Sequence, residues 1–429
     1  MSIDQFLLSA DTTDLNYPEV RPTLDLNFAR TKTLDPRITF TRASGGSYVG
    51  ADGLIKYAGV NEARFDHNPE TGESLGLLIE ESRINLINYS EDLSSQFYNV
   101  PGISTILNFD ISPDGKQSAT RLVENNIFSA KYLAKNIGTM NSGVTYTISC
   151  FVKAIGSNRF FSLIFETSSL FGGNYPRAGF NINNGTIVSG SVVLGSASIE
   201  NYGNGWYRCF LTATPSVTGS ATVQFRLQNS NTSASLLGFY QGDGVSGILC
   251  WGTQAEQGSF PTSYIPTQGS TRTRAADNAS MVGENFSSWY NQSEGTFYVS
   301  SRVDRVVTPG RRLFEASDGT GQNRLEVGYY QSGTYIFSTY LNSRQYQTYP
   351  AINSFPFITK QITSYGSSQL NYLSTADNIV NTFNRFQKPN YTILTIGRST
   401  GAEQFNGTIS QLTYYPRRLT NTQLQTLTK

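Results

Sequence analysis

The side chains of this 429-residue chain that could take part in acid–base or nucleophilic chemistry are few. Its one histidine, His67, lies in RFDHNPETG, so a metal triad of histidines is excluded and any nucleophile–histidine pair would have to use this residue. The turn-like residues around it favour a histidine at the surface or in a turn over a catalytic one. Neither a GxSxG nor an HExxH motif occurs.

Paired carboxylates are the second candidate chemistry, because glycoside hydrolysis needs two of them at a set separation in one cleft. The candidates on strand-like runs are Glu166, Glu256, Glu315 and Glu326. The sequence does not bring any two of them to one cleft. Solvent-facing positions on strands account for each of them, and we predict that the protein is not an enzyme.

Metal binding has little support in the sequence. Asp304, Asp318 and Asp377 are the residues that could contribute to a calcium site, but no dense run of oxygen ligands such as DxDxDG surrounds them. We therefore predict neither a metal nor a cofactor.

Aromatic residues offer a third chemistry, since exposed rings stack on sugar faces while amides and guanidinium groups bond the hydroxyls. The chain has 25 tyrosines, and the densest group surrounds one arginine in the last third of the chain. The candidate glycan-binding residues are Tyr329, Tyr330, Tyr335, Tyr340, Arg344 and Tyr346, with Tyr349 close by. The alternative is that these rings serve strand packing and subunit contacts.

The overall composition limits the classes of partner. Lys and Arg number 32 against 31 Asp and Glu, and charged residues make up 15% of the chain, against about 25% in an average globular protein. Because the chain has no excess of positive charge, we do not expect it to bind nucleic acid. Sugars or the shells formed by other proteins are more suitable partners for such a neutral surface. No apolar run reaches membrane-span length and no signal peptide is evident, so we expect no membrane insertion and expect assembly in a cytoplasm.

The elements that would position these residues are strands. Residues 144–152 alternate apolar and polar side chains, and Val223, Phe225 and Leu227 alternate with Thr222, Gln224 and Arg226. Asn184-Gly185 between FNIN and TIV predicts a hairpin with a two-residue turn. Such short strands separated by turn signals predict an all-β fold of two antiparallel β-sandwiches of the jelly-roll type.

Proline and glycine punctuation divides the chain. Regular structure should stop after about Glu256, because Pro261 and Pro266 each remove a ladder donor. We predict an extended N-terminal arm over residues 1–95, a sandwich over 96–270, a linker over 271–284 and a second sandwich over 285–429. The apolar piece LGLLIEESRINLI in the arm could be a strand or a short helix.

Local signals also predict a few individual roles. The second sandwich should end in a short helix, with Thr420 as the N-cap, Gln423 completing a capping box, Leu419 and Leu424 forming a hydrophobic staple and Leu427 packing on the sheet. Buried tryptophans and buried free thiols are expected in the first sandwich, and they are Trp206, Trp251, Cys150, Cys209 and Cys250.

Four passages, in order, resemble structural and fibre proteins of tailed bacteriophages. The last of the four resembles the closing segment of a β-sandwich domain that is common in those proteins. They are LDLNFARTKTLDPRITFTRASGGSYVGADGLI (residues 24–55), ARFDHNPETGESLGLLIEESRINLINYSEDL (63–93), GNGWYRC (203–209) and WGTQAEQGSFPTSYIPTQGSTRTRAAD (251–277). The ending FNGTISQLTYYPRRLTNTQLQTLT (405–428) is similar to the last strand and helix of concanavalin A-like, laminin-G-type domains.

The resemblance implies a virion structural protein: a fibre, spike or surface-decoration subunit. Its N-terminal arm would contact other virion proteins, a homotrimer would be the expected assembly, and the sandwiches, the first of them like a carbohydrate-binding module, would adhere to a host-surface glycan. Two alternatives remain open, a purely architectural capsid or tail component and a polysaccharide depolymerase.

Overall fold

The computed structural model confirms the all-β prediction and consists mainly of antiparallel sheets. It describes residues 18–94, 97–99, 102–156, 159–230, 237–303, 311–330, 333–340, 343–348, 357–366, 368–374, 379–384, 386–399 and 404–429. None of the helices in these ranges is long and apolar enough to cross a membrane.

Short strands make up the N-terminal segment up to residue 94. They are β1 (Leu24–Leu26), β2 (Thr39–Thr41), β3 (Gly46–Val49), β4 (Ile55–Ala58), β5 (Phe65–His67), β6 (Ser74–Ile79) and β7 (Arg83–Asn85), with helix α1 (Phe28–Thr31) after the first. LGLLIEESRINLI thus forms strands β6 and β7 rather than a helix.

The first sandwich follows. Its strands are β8 (Tyr98–Asn99), β9 (Ile103–Ile111), β10 (Gln117–Glu124), β11 (Phe128–Ser129), β12 (Tyr132–Met140), β13 (Tyr146–Ala154), β14 (Phe160–Phe165), β15 (Arg177–Asn181), β16 (Thr186–Ile187), β17 (Ser196–Asn201), β18 (Trp206–Ala213), β19 (Gly219–Gln228), β20 (Tyr240–Gln241) and β21 (Gly247–Gln257). A 3-10 helix spans Ser168–Phe171.

Two six-stranded sheets enclose the apolar core of this sandwich. Their orders are β17-β18-β13-β21-β10-β9 and β16-β15-β14-β19-β12-β8, and strands β11 and β20 form a small separate ladder. The predicted hairpin is present, but Phe180 pairs with Ile187 and Asn181 with Thr186, which leaves a four-residue loop instead of a two-residue one. Gly185 in this loop has a φ of 70°, which explains the glycine.

The second sandwich contains strands β22 (Arg272–Arg274), β23 (Asn278–Val282), β24 (Gly295–Val303), β25 (Arg311–Ser317), β26 (Arg324–Tyr330), β27 (Gly333–Tyr340), β28 (Ser343–Thr348), β29 (Phe357–Tyr365), β30 (Gln369–Ser374), β31 (Asn381–Asn384), β32 (Ile393–Ile396) and β33 (Gly407–Tyr415), with helices α2 (Glu284–Ser287) and α3 (Asn421–Thr428). One sheet has the order β31-β30-β29-β24-β33-β6-β5, with β1 also pairing with β33, and the other has the order β2-β23-β32-β25-β26-β27-β28.

The N-terminal segment is not a separate arm, because four of its strands, β1, β2, β5 and β6, belong to these two sheets. Leu24 pairs with Tyr414, Ile79 pairs with Gly407, and β2 pairs with β23. The segment is too poor in apolar residues to enclose a core of its own, so it adds strands to the second sandwich and covers an edge that β33 would otherwise expose. Residues 1–17 of the predicted arm lie outside the described residues.

The predicted linker over residues 271–284 is also part of the folded body. It forms β22, which pairs with β7, and β23, which lies inside the second sheet between β2 and β32. Proline and glycine do interrupt regular structure after β21, which ends at Gln257, one residue beyond the predicted position.

The C-terminal helix has the predicted start. The Thr420 side chain accepts from the Gln423 backbone N–H, the Gln423 side chain accepts from the Thr420 N–H, and together they form a capping box. Leu419 and Leu424 are buried in one cluster, and Leu427 packs against it. Cys150, Cys209 and Cys250 are buried free thiols, as predicted.

Candidate functional site

The predicted aromatic face of the second sandwich is not supported at the residue whose side chain is described. Tyr329 is 5% exposed, its ring stacks on Phe405 at 6.0 Å between centroids, and its hydroxyl bonds the side chains of Ser301 and Thr359. This ring belongs to the core and offers no face to a sugar. The other predicted contacts have side chains outside the described residues and stay predictions; they are Tyr330, Tyr335, Tyr340, Arg344 and Tyr346.

His67 is buried rather than at the surface. It ends β5, is 5% exposed, and its Nδ1 lies 3.0 Å from the carbonyl oxygen of Val49. Because a carbonyl only accepts, Nδ1 carries a proton and donates it. The local turn residues did not reveal this burial, which strand β3 imposes from 18 residues earlier in the chain.

Three of the four candidate glutamates are fully buried, so the prediction of solvent-facing positions is wrong for them. Glu315 and Glu326 lie directly opposite each other on β25 and β26, and Glu326 receives a hydrogen bond from Arg312 at 2.8 Å. Burial raises the pKa of Glu326 to about 7, against the opposing effect of Arg312 and Arg324. Strand pairing brings these carboxyls together, and no described cavity reaches them.

Glu256, the third, has a structural role. Its carboxylate accepts from the Thr262 backbone N–H at 2.9 Å and from the Gln254 amide at 2.7 Å, and so fastens the proline-containing segment to β21.

The hypothesis of a calcium site gains no support from the described residues. Asp318 bonds Thr320 and Asn323, and the described part of the chain has no cluster of metal-ligating side chains. Asp304 and Asp377 lie outside the described residues.

Three of the four passages that resemble phage proteins, 24–55, 63–93 and 251–277, meet in a buried ionic cluster, defined here as Arg42, Arg64, Glu80, Arg274 and Asp277. Asp277 accepts from Arg42 at 3.0 Å and from Arg64 at 2.6 Å, and Arg64 also donates to Glu80 at 2.7 Å. Burial disfavours ionisation of Glu80, but Arg274 and Arg64 outweigh it and hold the pKa of Glu80 at about 2. All five side chains are at most 6% exposed, and the cluster joins segments that are distant in the sequence.

Passages 24–55, 203–209 and 251–277 also share an apolar cluster. Trp206 and Trp251 are buried as predicted, but they pack with Ile55, Phe151 and Tyr264 outside the main core of the first sandwich. Trp251 and Tyr264 have ring centroids 4.4 Å apart. The motifs thus specify how the N-terminal segment, the first sandwich and the chain after β21 are held together.

A groove on the outer face of the first sandwich has the features expected of a binding site. Ile164 pairs with Gln224, and Tyr132 pairs with Arg226, so β14, β19 and β12 present these side chains away from the core. Glu166 lies just beyond β14. The groove has a volume of about 410 Å³, within the roughly 300–1,000 Å³ typical of ligand pockets, and Tyr175, Leu237 and Phe239 also line it.

Arg226 organises the polar side of this groove. Its guanidinium lies 5.1 Å from the centre of the Tyr132 ring and donates to the Gln224 side chain and to the Gly238 carbonyl, each at 3.1 Å. Its Nε is buried and has no hydrogen-bond partner among the described residues. Burial lowers the pKa of Arg226 and raises that of Tyr132, an effect that Glu166 reinforces at Tyr132.

Exposed rings also line this groove. Tyr175 is 37% exposed and Phe239 is 64% exposed, and Phe239 stacks on the exposed ring of Phe128 with centroids 6.4 Å apart. Exposed aromatic faces beside an amide, a guanidinium and a carboxylate can bind a polyhydroxylated ligand by stacking and hydrogen bonds.

Sequence reasoning identified Glu166 for a different chemistry and did not identify the groove. The alternation over Thr222, Gln224 and Arg226 was a usable signal, because it places two hydrogen-bonding side chains on the face away from the core. No comparable signal marked Tyr175 and Phe239, which come from loops.

Comparisons with known proteins give only distant likenesses. No protein-family model matches the chain, and no curated protein matches it. A solved structure of the CBM40 of a Ruminococcus gnavus IT-sialidase, bound to α2,6-sialyllactose, is similar at 13% identity and a TM-score of 0.28, over 32% of this chain and 85% of that one. Domain 4 of AbnA, an extracellular GH43 arabinanase from Geobacillus stearothermophilus, in complex with arabinotriose, has 10% identity and a TM-score of 0.29, over 40% and 82% of the two chains.

A third likeness is to a botulinum neurotoxin type C structure that concerns cell entry through two ganglioside molecules. The identity is 9% and the TM-score 0.29, over 35% of this chain and 39% of that one. Similarity at this level carries no inference about function, which therefore rests on the geometry of the groove.

Proposed function

We propose that this chain is a non-enzymatic adhesion subunit of a tailed-phage virion, which binds a host-surface glycan in the groove on the first sandwich. The observation that carries the glycan part is the pairing of exposed rings, Tyr175 and Phe239, with the hydrogen-bonding groups of Gln224, Arg226 and Glu166. Rings stack on the apolar faces of sugars, and the polar groups orient the hydroxyls.

The virion part of the proposal is supported by the resemblance of the four passages to phage structural proteins. In this proposal the N-terminal part contacts other virion proteins, and three copies assemble. One shallow groove binds a sugar weakly, but three grooves on a symmetric assembly raise the avidity through effective concentration.

Single substitutions in the rings test the glycan part. Phe239→Ala and Tyr175→Ala should each lower the affinity for glycans retained on an oligosaccharide array about tenfold, because truncation of a central aromatic contact typically costs about 1–2 kcal/mol. Both side chains are exposed, so the fold should be unaffected. Phe109→Ala is a matched control, since this ring is 42% exposed on β9 of the other sheet.

Three results would contradict the proposal. If wild-type protein binds no array glycan and no host-cell surface, the architectural alternative replaces it. If Phe239→Ala and Phe109→Ala lower affinity equally, the groove is not the binding site. If incubation with host polysaccharide releases reducing ends, the protein is a depolymerase.

A further inference from the structure

A second polar cleft lies where the first sandwich, the N-terminal segment and the second sandwich meet. An outer groove of about 740 Å³ runs between β17 and the loop after β5, with Arg302 of β24 also on its wall. An inner cavity of about 140 Å³ continues from it, since Val49, Asp66, Glu200 and Tyr202 line both. The outer groove is of ligand size, whereas the inner cavity would hold only a substituent.

Two side chains that line this junction cleft each carry a buried polar atom with no hydrogen-bond partner among the described residues. One is Nε2 of His67, which lines the outer groove and is left as an acceptor because Nδ1 donates to Val49. The other is Nε of Arg208, a donor beside the inner cavity, whose remaining nitrogens donate to Thr262 and Ser149. These side chains are 5% and 3% exposed.

Buried polar atoms without partners are uncommon in folded proteins, and each calls for a water, ion or ligand that satisfies it. The unpartnered atom at the outer groove accepts and the one at the inner cavity donates, and a sugar offers hydroxyls that can do either. Asp66 and Glu200 supply carboxylate acceptors on the shared wall. Burial raises the pKa of Tyr202 to about 12, against the opposing effect of the neighbouring Arg208, so its hydroxyl stays protonated.

The charge of the cleft limits the class of ligand. The carboxylates that line it, Asp66, Glu70, Glu80 and Glu200, outnumber the guanidinium groups of Arg208 and Arg302. An acidic sugar would be repelled, whereas a neutral polyol pays no such cost. The described residues around the cleft contain no cluster that could hold a metal ion.

We propose that the junction cleft is a second saccharide site, specific for neutral sugars and separate from the groove on the first sandwich. The inference rests on the proposed function, because it extends the same ligand class to another part of the molecule. Its walls come from three segments of the chain, so binding there would also hold the two sandwiches together.

The test uses the full chain with the first groove disabled by Tyr175→Ala and Phe239→Ala. On a printed array of neutral and acidic oligosaccharides, this variant should still retain neutral ones. Adding Glu200→Gln or His67→Gln should lower that residual affinity by about threefold to tenfold each, the usual effect of losing one hydrogen bond. Glu200 is half-exposed on an edge strand, so its variant tests the site even if His67→Gln fails to fold.

Glu73→Gln is the matched control, because this exposed glutamate lies on the loop after β5, which borders the outer groove, and does not itself line the cleft. If the groove-disabled protein binds nothing while the wild type binds, the junction site does not exist and the proposed function stands. If Glu200→Gln and Glu73→Gln bind alike, water satisfies the buried atoms and the inference is wrong. If the wild type itself binds no oligosaccharide, both proposals fail.

Discussion

Replacing Asp277 by asparagine should remove the charge on which the buried ionic cluster depends. The two carboxylate oxygens accept from Arg42, from Arg64 and from the Glu80 backbone N–H at 3.0, 2.6 and 2.9 Å. Asparagine retains one acceptor oxygen and turns an NH₂ group toward an arginine. Both guanidinium groups are fully buried, so water cannot replace the lost charge.

Breaking a buried ion pair by removing one partner typically costs about 3–5 kcal/mol, because the other charge stays buried without compensation. For a unit of 150–250 residues this corresponds to a fall in Tm of about 6–20 °C. Asp52→Asn is a suitable control, since the Asp52–Lys56 pair is about half exposed. An exposed pair contributes about 0–1 kcal/mol.

Differential scanning calorimetry of the two variants measures this difference. Limited trypsin digestion adds a local readout, because the cluster ties residues 42–80 to residues 274–277, and its loss should make the N-terminal segment cleavable first. If the Tm of Asp277→Asn falls no further than that of Asp52→Asn, the cluster does not hold these segments together and the reasoning is refuted.

Two further predictions concern pH. The pKa of Glu80 is about 2 in the folded protein against an ordinary 4.5, so its ionised form stabilises the fold above pH 4.5. This stabilisation, on the order of 3 kcal/mol in all, is lost as the pH falls toward 2. In urea unfolding, the stability of Glu80→Gln should depend less on acid pH than that of the wild type, and parallel curves would contradict this. The pKa of Glu326 is raised to about 7, so its protonated form stabilises the fold below pH 4.5. This stabilisation, again on the order of 3 kcal/mol, is lost as the pH rises through 7. Glu326→Gln should therefore lose less stability between pH 4.5 and 7 than the wild type, and an unchanged profile would show that Arg312 and Arg324 keep the carboxyl ionised.

The sequence was a reliable guide to features that depend on neighbouring residues. The start of the C-terminal helix is one of them, because a capping box and a staple are contacts between neighbours. The alternation over residues 144–152 likewise predicted β13, since period-2 alternation is a property of any strand.

The same alternation did not predict which faces are covered. Strand β13 is buried on both faces over most of its length, because the motif passages pack on its outer side as well as the core on its inner side. Burial of His67 was missed for the same reason, because its hydrogen-bond partner Val49 comes from another strand.

The sequence thus determined the residue types, the strand periodicity and the helix cap. The periodicity and the cap depend only on residues that are close in the sequence. The path of the N-terminal segment, the pairing of Glu315 with Glu326 and the walls of both candidate sites were decided only by the tertiary structure. Pairing Leu24 with Tyr414 requires closing a loop of nearly the whole chain, and no local pattern encodes that choice. The groove depends in the same way on strands β12, β14 and β19 meeting with loop residues Tyr175 and Phe239.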